Sequence, residues 1–122
     1  MSKVHRVLIV EDEALVRIDI SEHLAAEGYE VVEAVDAEHA FEVLEARSDV
    51  TVLITDIDMP GLLDGLMLAK FAAERWPHVK MLVISGQRQA ELSDLPDGAK
   101  FLSKPVDLDA LNSALLDLVP KG

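Results

Sequence analysis

Two groups of acidic side chains in this sequence each follow a short aliphatic run. The first group contains Glu11 and Asp12, and the second contains Asp56 and Asp58. Carboxylates held within about 5 Å of one another in a shielded crevice repel strongly. A hard divalent cation such as Mg²⁺ offsets that repulsion, because it prefers oxygen ligands. The two acidic groups therefore predict a divalent-metal site, provided that the fold brings them together.

A hydroxyl and an ammonium group follow two further aliphatic runs. Ser85 precedes Gly86, and Lys104 precedes Pro105. Taken singly, each feature has an ordinary interpretation: an acid pair caps a helix, a Ser-Gly pair lies in a loop, and a lysine is solvated. Taken together, a carboxylate beside Mg²⁺, an ammonium and a hydroxyl form a site where a phosphoryl group can be received.

The elements that must position these residues alternate between strand and helix. Continuous aliphatic runs are typical of strands buried on both faces of a parallel sheet. Three such runs predict strands at Val7–Val10, Thr51–Thr55 and Met81–Ile84, and weaker strand-like runs lie at Tyr29–Ala34 and Lys100–Leu102. Apolar residues at helical spacing lie between and after them. This order predicts an α/β protein of the flavodoxin-like type, doubly wound, with a five-stranded parallel sheet of order 2-1-3-4-5 and helices on both faces.

The helix boundaries also carry sequence signals. Asp36 and Asp107 are placed to cap the second and the last helix, and Gly28 is a suitable residue to end the first. Between residues 87 and 99 no helical pattern is clear, and Pro96-Asp97-Gly98 is typical of a turn. Since ligands bind at the carboxyl ends of strands in such sheets, the acids, the hydroxyl and the ammonium are expected at one edge.

Composition excludes several classes of function. The chain has 122 residues and a net charge of −12, which disfavours binding to nucleic acid or to anionic membranes. The absence of cysteine excludes disulfides, thiolate metal sites and cysteine nucleophiles. No secretory signal and no apolar run of membrane-spanning length are visible, so a cytoplasmic protein is expected. Half of the residues are hydrophobic and only 4% are aromatic, which predicts an aliphatic core.

The sequence resembles the response-regulator receiver domains of two-component signalling over essentially its whole length. Five segments carry the resemblance: Val7–Glu13, Asp56 with Met59-Pro60, Asp64-Gly65, Ser85-Gly86 and Phe101–Pro105. The resemblance implies one CheY-like receiver domain over residues 1–122, which takes a phosphoryl group from a histidine kinase or a histidine phosphotransfer protein. It implies a switch that controls protein partners, with no enzymatic activity beyond the domain's own phosphorylation and dephosphorylation.

The same resemblance implies a role for individual residues. Asp56 is the implied phosphoacceptor, Ser85 hydrogen-bonds the phosphoryl group and Lys104 pairs with it. Mg²⁺ or Mn²⁺ is implied to bind Asp12, Asp56 and the backbone carbonyl of Asp58, with Glu11 acting through water. Phe101 matches the aromatic position whose rotamer changes on phosphorylation, so Ser85 and Phe101 are the implied switch residues. The peptide bond before Pro105 is implied to be cis.

Two departures from the family pattern and two alternatives accompany this interpretation. Four residues separate Pro60 from Gly65, one more than usual, and the span from Ser85 to Lys104 is shorter than usual. The second departure predicts a short or irregular fourth helix. One alternative is an adaptor that does not signal by phosphate. The other is a haloacid-dehalogenase-like phosphohydrolase using Asp56 and Asp58, although that motif normally follows the first strand.

Overall fold

The computed structural model describes residues 4–58, 64–86 and 95–119, which form five strands and four helices. Their bounds are β1 Arg6–Val10, α1 Ala14–Ala26, β2 Glu30–Ala34, α2 Ala37–Ala46, β3 Val50–Asp56, α3 Gly65–Arg75, β4 Lys80–Ser85, β5 Lys100–Ser103 and α4 Leu108–Leu118. The order confirms the predicted alternation of strands and helices. Four strands extend their predicted runs by one or two residues, and β2 begins one residue later than predicted.

The strands form one parallel sheet in the order β2-β1-β3-β4-β5, as predicted. Val10 at the end of β1 lies beside Thr55 of β3, and Asp56 lies beside Ile84 of β4. Ser85 in turn is level with Ser103 at the end of β5. The register therefore brings the carboxyl ends of β1, β3, β4 and β5 to the same edge of the sheet.

The two faces of the sheet have separate aliphatic cores. The first core packs α2 and α3 against residues such as Leu8, Leu53 and Val83. The second packs α1 and α4 against residues that include Ile9 and Ile54. Because helices cover both faces, the three central strands are almost completely buried, which explains their unbroken apolar sequences.

The predicted helix caps form as expected. The Asp36 side chain accepts from the His39 backbone N–H at 2.8 Å, and the Asp107 side chain accepts from the Asp109 N–H at 2.9 Å. Gly28 follows the end of α1 with φ +98°, a conformation that glycine adopts without steric cost. These local interactions fix the start of α2, the start of α4 and the end of α1.

The predicted turn before β5 is also present. Gly98 has φ +82°, and the Ala99 N–H donates to the Pro96 carbonyl at 3.1 Å. The predicted short or irregular fourth helix falls mainly on residues 87–94, and the lengthened loop before Gly65 on residues 59–63; both lie outside the described residues. Among the described helices, none is long and apolar enough to cross a membrane.

Candidate functional site

Three charged side chains meet at the carboxyl edge of the sheet. The Lys104 Nζ lies 2.7 Å from Glu11 Oε1 and 2.6 Å from Asp56 Oδ2. Glu11 and Asp56 are only 3% and 4% exposed. Residues that are distant in the chain thus form one charge-assisted network, in which a single ammonium neutralises part of the charge of two buried carboxylates.

Asp12 completes an acidic cluster at the mouth of this network. One carboxylate oxygen from each of Glu11, Asp12 and Asp56 lies within 4.8 Å of the other two. Asp12 is exposed, whereas the other two acids are buried. The cluster borders a crevice of about 490 Å³ that is also lined by Asp58 and Lys104. A set of carboxylate oxygens beside a solvent-accessible space fits a hard divalent cation that keeps several water ligands.

Glu11 is held by contacts on both sides. Its Oε1 accepts from Lys104, and its Oε2 accepts from the Glu13 backbone N–H at 3.0 Å. Arg17 Nη1 donates to the Glu11 carbonyl oxygen at 2.8 Å. Burial raises the pKa of Glu11 above its ordinary value, and the hydrogen bond from Lys104 opposes that rise.

The pKa of Lys104 is raised, although burial by itself would lower it. Its hydrogen bonds to Asp56 and Glu11, together with the charges of both carboxylates, outweigh the desolvation. Lys104 is therefore a stable cation throughout the physiological pH range. A permanently positive group beside the Asp56 carboxylate can offset the negative charge of an incoming anion.

Asp58 contacts the site through its main chain and its side chain. Its backbone N–H donates to Asp56 Oδ1 at 2.9 Å, which orients that carboxylate. Its own Oδ2 accepts from the Ser85 hydroxyl at 2.6 Å. The family resemblance implied only a backbone carbonyl role for Asp58, and the Asp58–Ser85 hydrogen bond was not anticipated. The only sequence feature that pointed to this hydrogen bond was the presence of a short acidic side chain two residues after Asp56.

The end of β5 is fixed to the end of β4 beside this hydrogen bond. The Lys104 backbone N–H donates to the Ser85 carbonyl at 3.0 Å, and the Lys104–Pro105 peptide bond is cis, as the resemblance implied. A Cβ on Gly86 would lie 3.1 Å from the Lys104 Cβ, so any side chain at this position would require the lysine stem to shift slightly. These contacts direct the ammonium towards Asp56.

Gly65 is a further residue of the site that sequence reasoning did not single out for a structural role. It begins α3 and is buried, and a Cβ at this position would overlap the backbone carbonyl oxygen of Asp56. Its Asp64 neighbour caps the helix by accepting from the Met67 N–H at 2.9 Å. The Asp-Gly pair was visible in the sequence, but only the fold shows that a glycine is needed there because the end of β3 packs directly against the start of α3.

Phe101 lies on β5 beside Val83 and is partly buried against the core formed with α2 and α3. It is therefore close in the sheet to Ser85, which ends the neighbouring strand. All of the predicted site residues except Phe101 converge at the crevice edge. Their roles in phosphoryl transfer, metal binding and switching remain predictions.

Comparison with known proteins assigns the family. The sequence model of the family described as the response regulator receiver domain matches residues 7–116. The chain therefore belongs to the response-regulator receiver domain family, and it is a phosphoacceptor domain of two-component signalling. This match leaves the phosphohydrolase and phosphate-independent adaptor interpretations without support.

Relatives and solved structures agree with this assignment. The chain is 37% identical over 106 residues to the response regulator receiver protein CpdR of Brucella abortus, covering 84% of this chain and 87% of CpdR. It is 34% identical over 119 residues to the sensor kinase CckA of the same organism, covering 94% of this chain and 12% of CckA. The crystal structure of a receiver domain from the hybrid histidine kinase CckA has a TM-score of 0.78 at 36% identity, covering 93% and 98% of the two chains.

The matched part of several relatives is only a fraction of their length. The chain spans 12% of CckA, 24% of FleR of Pseudomonas aeruginosa and 54% of PdtaR of Mycobacterium tuberculosis. Receiver domains similar to this chain thus occur within proteins of very different length.

Proposed function

We propose that Asp56 accepts a phosphoryl group from the phosphohistidine of a sensor kinase or a histidine phosphotransfer protein. The observation that carries the proposal is the Lys104 ammonium, which lies 2.6 Å from the Asp56 carboxylate and 2.7 Å from Glu11. An anionic nucleophile and an anionic donor repel each other, so a fixed cation at the nucleophile lowers the barrier to their approach. Residues 1–122 would act as a single receiver domain.

The transfer exchanges one phosphorus bond for another. An oxygen of the Asp56 carboxylate forms a bond to phosphorus while the bond from phosphorus to the imidazole nitrogen breaks, and the electron pair stays on that nitrogen. The Asp58 N–H holds Asp56 Oδ1 at 2.9 Å, which limits rotation of the nucleophile. Lys104 remains protonated and offsets charge on the phosphoryl oxygens.

The acidic cluster fits Mg²⁺ or Mn²⁺ as the resident cation. Asp12, Asp56 and the Asp58 carbonyl would be direct ligands, and Glu11 would act through a water molecule. In support, both Glu11 carboxylate oxygens already accept hydrogen bonds, from Lys104 and from the Glu13 N–H. The cation, when bound, supplies charge neutralisation and oriented oxygen coordination for the phosphoryl group.

The Ser85 hydroxyl provides a route from this chemistry to a signal. Before phosphorylation it donates to Asp58 at 2.6 Å. A phosphoryl dianion on Asp56 is a strong competing acceptor, so Ser85 would turn towards it and open space for Phe101 to change rotamer. The protein partners that recognise the altered surface are the downstream targets of this domain, whose own role is signalling rather than turnover of a substrate.

Labelling with acetyl phosphate tests the phosphoacceptor. The wild-type protein should be phosphorylated in the presence of Mg²⁺ and not in EDTA, and Asp56→Asn should not be labelled because the amide is not a nucleophile. Asp109→Asn, an exposed substitution on α4, is the matched control and should label like wild type. Full labelling of Asp56→Asn would show that the acceptor is elsewhere.

Hydrogen exchange with beryllofluoride, a phosphoryl mimic, tests the switch. Amide protection around Ser85 and across residues 100–104 should change when the mimic binds. If beryllofluoride binds and these amides keep their exchange rates, the domain signals through another surface. An adaptor independent of phosphate would show neither labelling nor this change.

A further inference from the structure

The face of the protein formed by α2 and α3 contains a groove that plays no part in phosphoryl transfer. The groove has a volume of about 630 Å³ and is open to solvent. Its lining residues are Glu38, Phe41, Phe71, Glu74 and Arg75. None of these residues borders the acidic crevice, which is lined by residues from the carboxyl ends of the strands and the turns that follow them.

The floor of the groove is apolar and preformed. The Phe41 and Trp76 rings pack edge to face, with centroids 5.2 Å apart and planes inclined by 70°. The Arg75 guanidinium lies 5.7 Å from the centroid of Phe41 and 5.2 Å from that of Trp76, and its Nη2 lies 3.0 Å from Glu45. These contacts hold the floor in one arrangement, so an occupant would not have to order it.

An apolar stripe on α3 continues the groove. Phe71 is 47% exposed and Met67, one helical turn earlier, is 42% exposed. Large apolar side chains that are exposed side by side next to a groove are typical of binding surfaces rather than of inert surface. Since the chain has only three phenylalanines and one tryptophan, the placement of two phenylalanines and the tryptophan around this groove is notable.

The charge of the rim specifies the occupant. Glu38 and Glu74 line the groove together with Arg75, whose guanidinium is already paired with Glu45. The rim therefore carries excess negative charge, on a chain whose net charge is −12. A second copy would bring the same acidic rim against this one, and the like charges would repel. A partner with a positively charged rim is favoured.

The dimensions favour a helix as the apolar part of that partner. Helices α2 and α3 contain 10 and 11 residues, which corresponds to a length of about 15 Å, or nearly three turns of a helix laid alongside them. A groove open along one side would leave much of a small molecule in water, whereas an amphipathic helix buries its apolar face there and keeps its polar face solvated. We propose that the α2–α3 groove binds a basic amphipathic helix of another protein.

Two synthetic peptides test the sign of the charge. Both have about 14 residues with leucine at positions i, i+3, i+4 and i+7, and they differ only in flanking lysines or flanking glutamates. Trp76 is the chain's only tryptophan, and it contacts Phe41 beneath the groove, so its fluorescence reports occupancy. The lysine peptide should bind saturably with a dissociation constant below about 1 mM, and at least ten times more tightly than the glutamate peptide.

Substitutions locate the binding surface. Phe71→Ala and Glu74→Lys should each weaken binding of the lysine peptide at least tenfold. Leu116→Ala is the matched control, because Leu116 is similarly exposed, at 44%, but lies on α4 at the opposite face. Circular dichroism should show that all three variants retain the fold.

Four results would overturn the proposal. The first two are that neither peptide binds saturably, or that both bind equally well. The third is that Phe71→Ala and Leu116→Ala weaken binding of the lysine peptide equally. The fourth is that the protein forms a concentration-dependent dimer that Phe71→Ala abolishes. The last result would assign the groove to a second copy. These measurements use unphosphorylated protein, so their outcome does not depend on whether Asp56 is the phosphoacceptor.

Discussion

Replacing Lys104 by methionine removes the cation from a site where two carboxylates are buried. At 2.6 and 2.7 Å, each ion pair has a Coulomb energy of about 6 kcal/mol at an effective dielectric constant near 20, before desolvation is subtracted. Removing one partner of a buried pair costs about 3–5 kcal/mol, and the lower value applies here because the Lys104 side chain is 23% exposed. With an unfolding entropy of about 0.26 kcal/mol/K for 122 residues, Lys104→Met should melt about 12 °C lower.

The destabilisation should also depend on pH, with a definite sign. Burial raises the pKa of Glu11 above 4.5 even beside Lys104. The folded protein therefore holds more protons than the unfolded chain above that pH, so stability falls as pH rises until the folded-state pKa is passed. Without the lysine, the pKa of Glu11 in the folded protein rises further. The pH range over which stability falls with rising pH then extends to higher pH. One proton gives a slope of at most about 1.4 kcal/mol per pH unit.

Urea unfolding in EDTA at pH 5, 6, 7 and 8 measures this effect. The difference in free energy of unfolding between wild type and Lys104→Met should grow as pH rises. Lys100→Met is the matched control: Lys100 begins β5 and lies 3.6 Å from Asp117 in an exposed pair, and its loss should cost less than about 1 kcal/mol. A constant difference between pH 5 and 8 would refute the assignment of Lys104 as the cation that balances Glu11.

Three further predictions concern the same edge of the sheet. Mg²⁺ at ten times its dissociation constant should stabilise wild type by about 1.4 kcal/mol, and Asp12→Ala should lose that response; equal responses in thermal melts would place the cation elsewhere. Gly65→Ala should destabilise the protein by about 2 kcal/mol or more, because the new methyl group overlaps the Asp56 carbonyl; a melting temperature equal to that of wild type would contradict this contact. Asp58→Ala should bind beryllofluoride more tightly, because Ser85 no longer has to leave the carboxylate; calorimetry showing unchanged or weaker affinity would exclude that competition.

The sequence was sufficient to predict the fold and the composition of the site edge. Unbroken aliphatic runs predicted β1, β3 and β4, weaker apolar runs predicted β2 and β5, and the rule that parallel strands end at one edge predicted that Asp56 and Lys104 lie together. Local pattern was also sufficient for the caps at Asp36 and Asp107, because capping involves residues only two or three positions apart.

Side-chain pairing across the fold could not be predicted in the same way. The hydrogen bond between Asp58 and Ser85 depends on rotamers at the ends of two strands, and no spacing in the chain encodes it. The groove between α2 and α3 was missed for a related reason. Helical spacing shows that apolar residues share a face of a helix, but only the packing of α3 shows that the Phe71 ring is about half exposed.

The position of β5 has a consequence for the site that it completes. In the described sheet this four-residue strand is hydrogen-bonded to β4 alone, whereas β1 and β3 each have neighbours on both sides. Short edge strands open locally at a lower free-energy cost than central strands. Each such opening would carry Lys104 away while Glu11 and Asp56 stay anchored on β1 and β3. The charge balance of the site therefore depends on an edge strand of the sheet, and the site is complete only while that edge is closed.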